Sequence, residues 1–151
     1  MPCKALSLAP LRQGTMEAFL SLQVRPDQQT FVEPPAESLR DMQARAWDIP
    51  WTIECIFLDT EVIGYAMHGM NGQRDVWLDR FMIDARYQGR GLGHQAFQAL
   101  VDLAKQRYPE RRRILLSVEK HNDLAISMYE HFGFRETPYM DGIYPVMALT
   151  E

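Results

Sequence analysis

Three glycines fall within five positions, at Gly89, Gly91 and Gly93, and the chain then turns apolar with helical spacing. Closely spaced glycines let successive backbone N–H groups point into one concavity, and a helix opening near Gly91 adds its positive end. Arg86 and Arg90 place cationic side chains beside it. Such a constellation suits a pyrophosphate; it equally suits a turn that serves only strand-to-helix geometry. A P-loop is excluded, because no Gly-Lys-Ser/Thr follows the glycines. The dinucleotide fingerprint fails as well: Gly89 and Gly91 supply its first two glycines, but its third position falls on His94. Downstream, Asn122 and Tyr129 stand seven residues apart in "HNDLAISMYEHFGF", nearly two helical turns, so both face roughly one way. Taken alone, Asn122 reads as a helix N-cap and Tyr129 as a half-buried packing residue. Asp79 is an acid in the apolar run "VWLDRFMI". Strand alternation sets it on the face of Trp77, Phe81 and Ile83, and apolar company there would raise its pKa.

The elements that must hold these groups follow from hydrophobic periodicity. "KALSLA" reads as a first strand and "LRQGTMEAFLSLQV" as a helix, with Leu11, Phe19 and Leu22 apolar. "AESLRDMQARAW" has helical composition with Pro35 near its start. Strands follow at "WTIECIFL", "VIGYAMHGM" and "VWLDRFMI", with turns at Asp59-Thr60 and Asn71-Gly72. The glycine stretch opens a helix whose apolar face is Leu92, Ala96, Phe97, Leu100, Leu103 and Ala104. "RILLSV" is a strand, "DLAISMYEHF" a helix ending before Gly133, and "FRETPY" and "YPVMAL" are closing strands. The order β-α-α-β-β-β-α-β-α-β-β describes an α/β chain, a mixed sheet covered by helices in one domain over residues 1–151.

Bulk properties narrow the function. With 151 residues, 46% hydrophobic and 24% charged, the chain has an ordinary soluble composition. It lacks a run of 18 apolar residues, which excludes a helical membrane span. Pro10 and Arg12 interrupt the short apolar stretch at the N-terminus, so no signal peptide is expected there. Cys3 and Cys55 are too few for a disulfide framework; both read as small hydrophobes in a reduced, cytoplasmic setting. A formal charge of −4 argues against a general nucleic-acid binder and is compatible with cationic substrates. The Arg111-Arg112-Arg113 run reads as a solvated loop and strand entry, and Trp47 and Trp51 as buried core, with the wall of an amine tunnel as the competing reading. No cluster of His, Cys and acids has metal-ligand spacing, so no metal is expected.

The two chemical segments together carry a resemblance. "FMIDARYQGRGLG" followed by N-x-x-A-x-x-x-Y-x-x-x-G-F resembles the GNAT superfamily of acyl-CoA-dependent N-acetyltransferases. More narrowly, "VWLDRFMIDARYQGRGLG" with the upstream "FVEPPAESLRDM" resembles bacterial spermine/spermidine acetyltransferases. The resemblance implies a predominantly antiparallel sheet splayed between its fourth and fifth strands, with helices on both faces. It implies acetyl-CoA as co-substrate. Backbone groups of Phe81, Met82 and Ile83 would meet the pantetheine and thioester. Gln88, Gly89, Arg90, Gly91, Leu92, Gly93 and His94 would surround the pyrophosphate, and Asn122 would contact the cofactor arm. His94 departs from the family's usual Lys or Arg, although a backbone N–H there would serve as well.

The resemblance also implies a reaction. A primary alkylamine with a lysine-like pKa near 10.4 lies roughly 3 units above neutral pH, so freeing its lone pair costs about 4–5 kcal/mol. A proton acceptor is therefore needed, and Asp79 stands where eukaryotic polyamine acetyltransferases of this superfamily have a glutamate; it could otherwise be an ammonium anchor or a structural ion pair. A bulge in this strand, which the resemblance also implies, would change the face of Asp79. The amine would attack the thioester directly, a fourth-strand N–H would stabilise the oxyanion, and Tyr129 would protonate the departing thiolate. Neither cysteine is then required. Glu33, Glu37 and Asp41 would present carboxylates to a polyamine, with a solvated helix face as the competing reading. Asp84 and Glu119 are further acids near the presumed cleft. Acetylation of a protein N-terminus or another small amine, an idle acyl-CoA sensor and an unrelated nucleotide-binding module are the remaining alternatives. By fold analogy, an exposed edge near the C-terminal strands offers a place for a homodimer.

Overall fold

The computed structural model describes residues 5–150. Cys3 and the start of the expected first strand lie outside that range. Seven strands form one sheet: β1 (Leu6–Pro10), β2 (Thr52–Leu58), β3 (Glu61–Met70), β4 (Asp75–Ile83), β5 (Arg113–Ser117), β6 (Arg135–Asp141) and β7 (Tyr144–Leu149), in the order β1-β2-β3-β4-β5-β7-β6. Four α-helices accompany them: α1 (Met16–Leu20), α2 (Pro35–Gln43), α3 (Leu92–Arg107) and α4 (Asp123–His131). The expected order of elements is reproduced. Two helices are shorter than periodicity implies. Over 11–24 only Met16–Leu20 is α-helical, after a single 3-10 turn at Gln13–Thr15. The second helix stops at Gln43, because Arg45, Trp47 and Asp48 take left-handed backbone angles.

Antiparallel pairing joins every neighbouring pair of strands except β4 and β5, which run parallel. That contact covers only Asp75↔Arg113, Val76↔Ile114 and Trp77↔Leu115. Past Trp77 the two strands diverge, so the β4 edge leaves its sheet partner and opens a wedge. Asp75 pins the closed end: it is buried, and Arg112 Nη2 and Arg113 Nε each lie 3.0 Å from its Oδ1. Arg112, exposed in the loop, and Arg113, the first residue of β5, are thus a solvated strand entry as expected and also ion-pair partners of a core carboxylate. Burial would raise the Asp75 pKa, but hydrogen bonds and charge from the two arginines outweigh it and lower the pKa.

Helices cover both faces. On one, Phe97, Leu100, Val101 and Ala104 of α3 pack with Val76 and Leu78 of β4 and Ile114 and Leu116 of β5, and Ala96 packs with Ile63 and Ile83. Val101 takes the buried place expected of Leu103, which is only half-buried. On the other, Phe19 and Leu22 pack with Trp51, Tyr65 and Met82, with Leu39 and Met42 of α2 against them. Cys55 is buried among these residues, and desolvation pushes its thiol up to about 11. No helix among the described residues is long and apolar enough to cross a membrane.

Candidate active site

The wedge between β4 and β5 holds two joined cavities. The wider one, about 750 Å³, is lined by Glu33, Glu37, Asp41, Asp79, Glu119 and Asp141, with Arg80 as its one basic residue. The narrower one, about 280 Å³, is lined by Met82, Ile83, Gln88, Gly89, Gly93, His94 and Asn122, among others. Phe31, Val32, Phe81 and Tyr129 line both and form the junction. The sequence-predicted residues Glu33, Glu37, Asp41 and Asp79 therefore share one chamber, and most of the predicted cofactor residues share the other. Arg90, Gly91 and Leu92 do not line either cavity. The Arg90 guanidinium lies 5.5 Å from the Tyr87 ring, and the Leu92 side chain is core, leaving its helix-end amide as the only group it can offer.

A bulge shapes β4. Tyr65 pairs with Met82 and Met67 with Asp79, so Arg80 and Phe81 stand together against Ala66. Arg80 has φ 55°. Such an insertion reverses the alternation of side chains beyond it. Trp77 and Asp79 keep the face expected of them, but Phe81 and Ile83 turn to the α3 side, where Phe81 meets Phe97 at 5.4 Å between ring centres. The expectation that all four share one face is corrected to that extent.

Arg80 is the charged residue of the acid-lined chamber that sequence reasoning missed. Its side chain is 6% exposed; Nη2 lies 2.6 Å from Asp41 Oδ2 and Nε 3.4 Å from Glu33 Oε2. Two of the expected substrate carboxylates thus already hold a cation. Glu37 lines the same chamber without such a pairing. No feature of "LDRF" announces the bulge, so nothing in the sequence aimed Arg80 across the strand at α2. Desolvation raises the Asp79 pKa to about 6, against the lowering effect of Arg80 and with Glu33 and Asp141 pushing the same way as burial. Its Oδ1 accepts the Arg80 backbone N–H at 2.9 Å. Asp84 belongs elsewhere: burial would raise its pKa, but the Arg86 guanidinium at 2.9 Å, with the backbone N–H groups of Arg86 and Gln23 at 3.0 Å, overcomes burial and holds it down.

Tyr129 is placed by aromatic packing. Its ring is 5.0 Å from that of Phe97 and 6.3 Å from that of Phe134, both fully buried. Burial first, and the Asp79 charge second, push its phenol pKa up, so it is protonated at neutral pH. At the start of the same helix, Asn122 caps α4 by accepting the Ala125 N–H at 3.4 Å and also lines the narrow cavity. Gly91 is the N-cap of α3 with φ 76°, a conformation glycine takes without a Cβ penalty. Gly93 is different. Its backbone is helical, and a Cβ there would meet nothing within 4 Å, so neither angle nor crowding within the chain calls for glycine. The unpaired first-turn amides of α3 open beside it, a fit for a phosphate group. Gln88 Nε2 donates to Ile83 O at 2.8 Å, tying the loop to the end of β4.

The chain matches the model of the acetyltransferase (GNAT) family over residues 16–134. It is 31% identical over 144 residues to a spermine/spermidine N(1)-acetyltransferase of Bacillus subtilis, covering 91% of this chain and 92% of that one. The chain belongs to the GNAT acetyltransferase family. It is an acetyl-CoA-dependent N-acetyltransferase. Solved structures share the fold: an acetyltransferase from Thermus thermophilus superposes with a TM-score of 0.73 at 24% identity over all of both chains. A spermidine N-acetyltransferase from Vibrio cholerae, solved with CoA and spermine, superposes with a TM-score of 0.72 at 18% identity, covering 95% of this chain and 92% of that chain. Among the described residues of this GNAT chain, no group of three or more His, Cys, Asp and Glu side chains is placed to hold a metal ion.

Proposed function

We propose that this acetyltransferase transfers acetyl from acetyl-CoA to a primary amine of a polyamine such as spermidine or spermine. The observation that carries the reading is the junction: an acid-lined chamber and a chamber walled by helix-end amides and glycines meet at Phe81 and Tyr129. A polycation suits the first and a pyrophosphate the second. The polyamine name of the Bacillus subtilis relative and the spermine bound in the Vibrio cholerae protein support the same substrate class.

In the proposed reaction, Met82, Ile83, Gln88, Gly89, Gly93, His94 and Asn122 hold the acetyl-CoA, with Arg90, Gly91 and Leu92 contributing through their backbone at the helix entry. Asp79, with its pKa near 6, is ionised at neutral pH and accepts a proton from the ammonium, directly or through water. The freed nitrogen forms its bond to the thioester carbon and gives up its second proton to solvent as the C–S bond breaks, and the Tyr129 hydroxyl gives its proton to the thiolate. The charge on Tyr129 returns to neutral by proton exchange with Asp79 or solvent. Cys55 takes no part, since a fully buried thiol pushed up to about 11 is a poor nucleophile.

The test is thiol release by purified protein with acetyl-CoA and each of spermine, spermidine, putrescine, lysine and an N-terminal peptide. Turnover confined to polyamines upholds the reading. Turnover on the peptide alone would replace it with N-terminal acetylation, and acetyl-CoA binding without turnover on any amine would replace it with an acyl-CoA sensor.

A further inference from the structure

We propose that a crevice walled by Trp47, Trp51 and Trp77 is a second cation subsite, which takes the distal alkylammonium of the acceptor. This rests on the polyamine reading and extends it to the far end of the substrate. All three tryptophans of the chain line this one crevice of about 200 Å³, together with Ile49, Asn71, Asp79 and Asp141. It is continuous with the wide chamber, because Trp47, Asp79 and Asp141 line both. Asp79 therefore stands where the two spaces divide.

The chemistry of the walls is specific. Indole faces attract cations through the ring quadrupole and also accept methylenes, while carboxylates supply the counter-charge. A hydrocarbon chain ending in an ammonium uses all of these; a free phosphate or a neutral apolar ligand uses only some or none. Asp141 acts on Asp79 electrostatically, which places its charge near the reacting end as well. The Trp47 ring already draws one cation, the Arg80 guanidinium 6.0 Å from its centre.

Core packing does not account for the position of Trp47. Sequence reasoning expects core, yet the residue is 65% exposed. Arg45, with φ 50°, ends α2, but Trp47 and Asp48 continue in left-handed geometry at 57° and 58°, beyond what ending a helix needs. Bulky residues hold such angles only where their surroundings fix them. Here the Trp51 indole N–H donates to Ala46 O at 2.9 Å and the two indoles meet edge to face at 6.2 Å. Trp51 is core, 8% exposed, so a buried tryptophan holds an exposed one in place over the crevice.

The experiment compares kcat/KM for putrescine and longer α,ω-diamines with that for monoamines of equal chain length, at saturating acetyl-CoA, in the parent, Trp47→Ala and Asp141→Asn. The diamine-to-monoamine ratio should peak at one length. Trp47→Ala should lower that peak about ten-fold, through KM, and Asp141→Asn should lower it severalfold. Both residues are exposed, so a thermal midpoint close to the parent's verifies folding. An unchanged ratio in both variants, with polyamines still acetylated, overturns the subsite and leaves the polyamine reading standing. So does an unchanged ratio accompanied by a fall in solution mass for Trp47→Ala, which assigns the exposed indole to self-association. If no amine is acetylated, the polyamine reading fails by itself. Tryptophan fluorescence titrated with hexamethonium, which has no transferable N–H, then decides the subsite alone: saturable quenching lost in Trp47→Ala upholds it, and a flat titration overturns it.

Discussion

In the wide chamber the polar groups are side chains from separate parts of the chain: Glu33 before α2, Glu37 and Asp41 on it, Asp79 and Arg80 on β4, Glu119 after β5 and Asp141 at the end of β6. In the narrow chamber they come mostly from two short runs, the exit of β4 through the first turn of α3 and the start of α4. Amides at a helix start point where the backbone directs them, whatever side chain they carry. Under the proposed reading, this lets His94 stand where the resemblance implies a lysine or arginine. Carboxylates have no such guarantee. Each one's charge and availability depend on its neighbours, as Arg80 shows by holding Glu33 and Asp41 while restraining the pKa of Asp79.

If the chambers divide the work in this way, changes on the acidic side should alter amine kinetics and pH dependence, and changes on the amide side should alter only acetyl-CoA affinity. The largest effect is expected from Asp79→Asn, which preserves the oxygen accepting the Arg80 N–H. Loss of a general base lowers the rate at neutral pH by about a hundred-fold or more. The bend near pH 6 in the parent's kcat/KM profile should vanish, leaving a rate that climbs with the free amine. Stability should move the opposite way. A carboxyl whose folded pKa is raised from 3.8 to about 6 stabilises the fold below the lower value and loses that contribution as pH rises through the upper one. Asp79→Asn should therefore be more stable than the parent at pH 7, by on the order of 3 kcal/mol, with the gap closing as pH falls toward 4. Urea unfolding at the two pH values checks this. The companion change Tyr129→Phe keeps the ring against Phe97; kcat should fall about ten-fold or more with acetyl-CoA affinity little altered. A retained bend in the first variant, or parent kcat in the second, would break the division of roles.

The contrast also governs what the sequence could disclose. A glycine-rich turn entering a helix is local, so its spacing in "YQGRGLG" and the Asn122–Tyr129 interval could be read directly. Element order was legible for the same reason: periodicity in eleven segments reflects which face each one buries. The wide chamber depends on long-range events. The β4 bulge adds a residue opposite Ala66 without interrupting the apolar alternation of "VWLDRFMI", so Phe81 and Ile83 were placed on the wrong face and Arg80 went unnoticed. Asp41 finds its basic partner off its own helix, on a strand 39 positions later. Trp47 sits in a residue run of helical composition, yet left-handed angles take it out of the helix and into the cleft.

An intermediate effect should come from Arg80→Met, which separates attachment from charge on the acidic side. Arg80 is buried, but its partners Glu33 and Asp41 are 42% and 29% exposed, so water can take over part of their solvation. Breaking a buried ion pair costs about 3–5 kcal/mol when the orphaned charge is sealed in, and partial exposure brings the expectation down to about 1–3 kcal/mol. The two freed carboxylates should then favour a polycation: added spermine should raise the thermal midpoint of Arg80→Met more than that of the parent. The kinetic bend should move above pH 6, since Arg80 holds the Asp79 pKa down. Equal spermine stabilisation in both proteins would mean that Glu33 and Asp41 serve only to anchor α2.

The smallest effect is expected on the amide side, and it is the one that most sharply separates ligand from fold. Gly93 is helical and a Cβ would meet nothing within 4 Å, so Gly93→Ala should suit the protein alone. Alanine is favoured over glycine in a helix by about 0.8–1.0 kcal/mol, and somewhat less in a first turn, so unfolding should become slightly harder. The same methyl group would stand in the concavity beside the first-turn amides of α3, where a pyrophosphate must approach closely. KM for acetyl-CoA should rise about ten-fold while kcat at saturation and the pH bend stay as in the parent. A variant more stable and weaker for acetyl-CoA would show that this glycine is kept for the ligand against the preference of the helix. A variant more stable with unchanged KM would move the pyrophosphate away from α3 and dissolve the contrast between a chamber of charges and a chamber of amides.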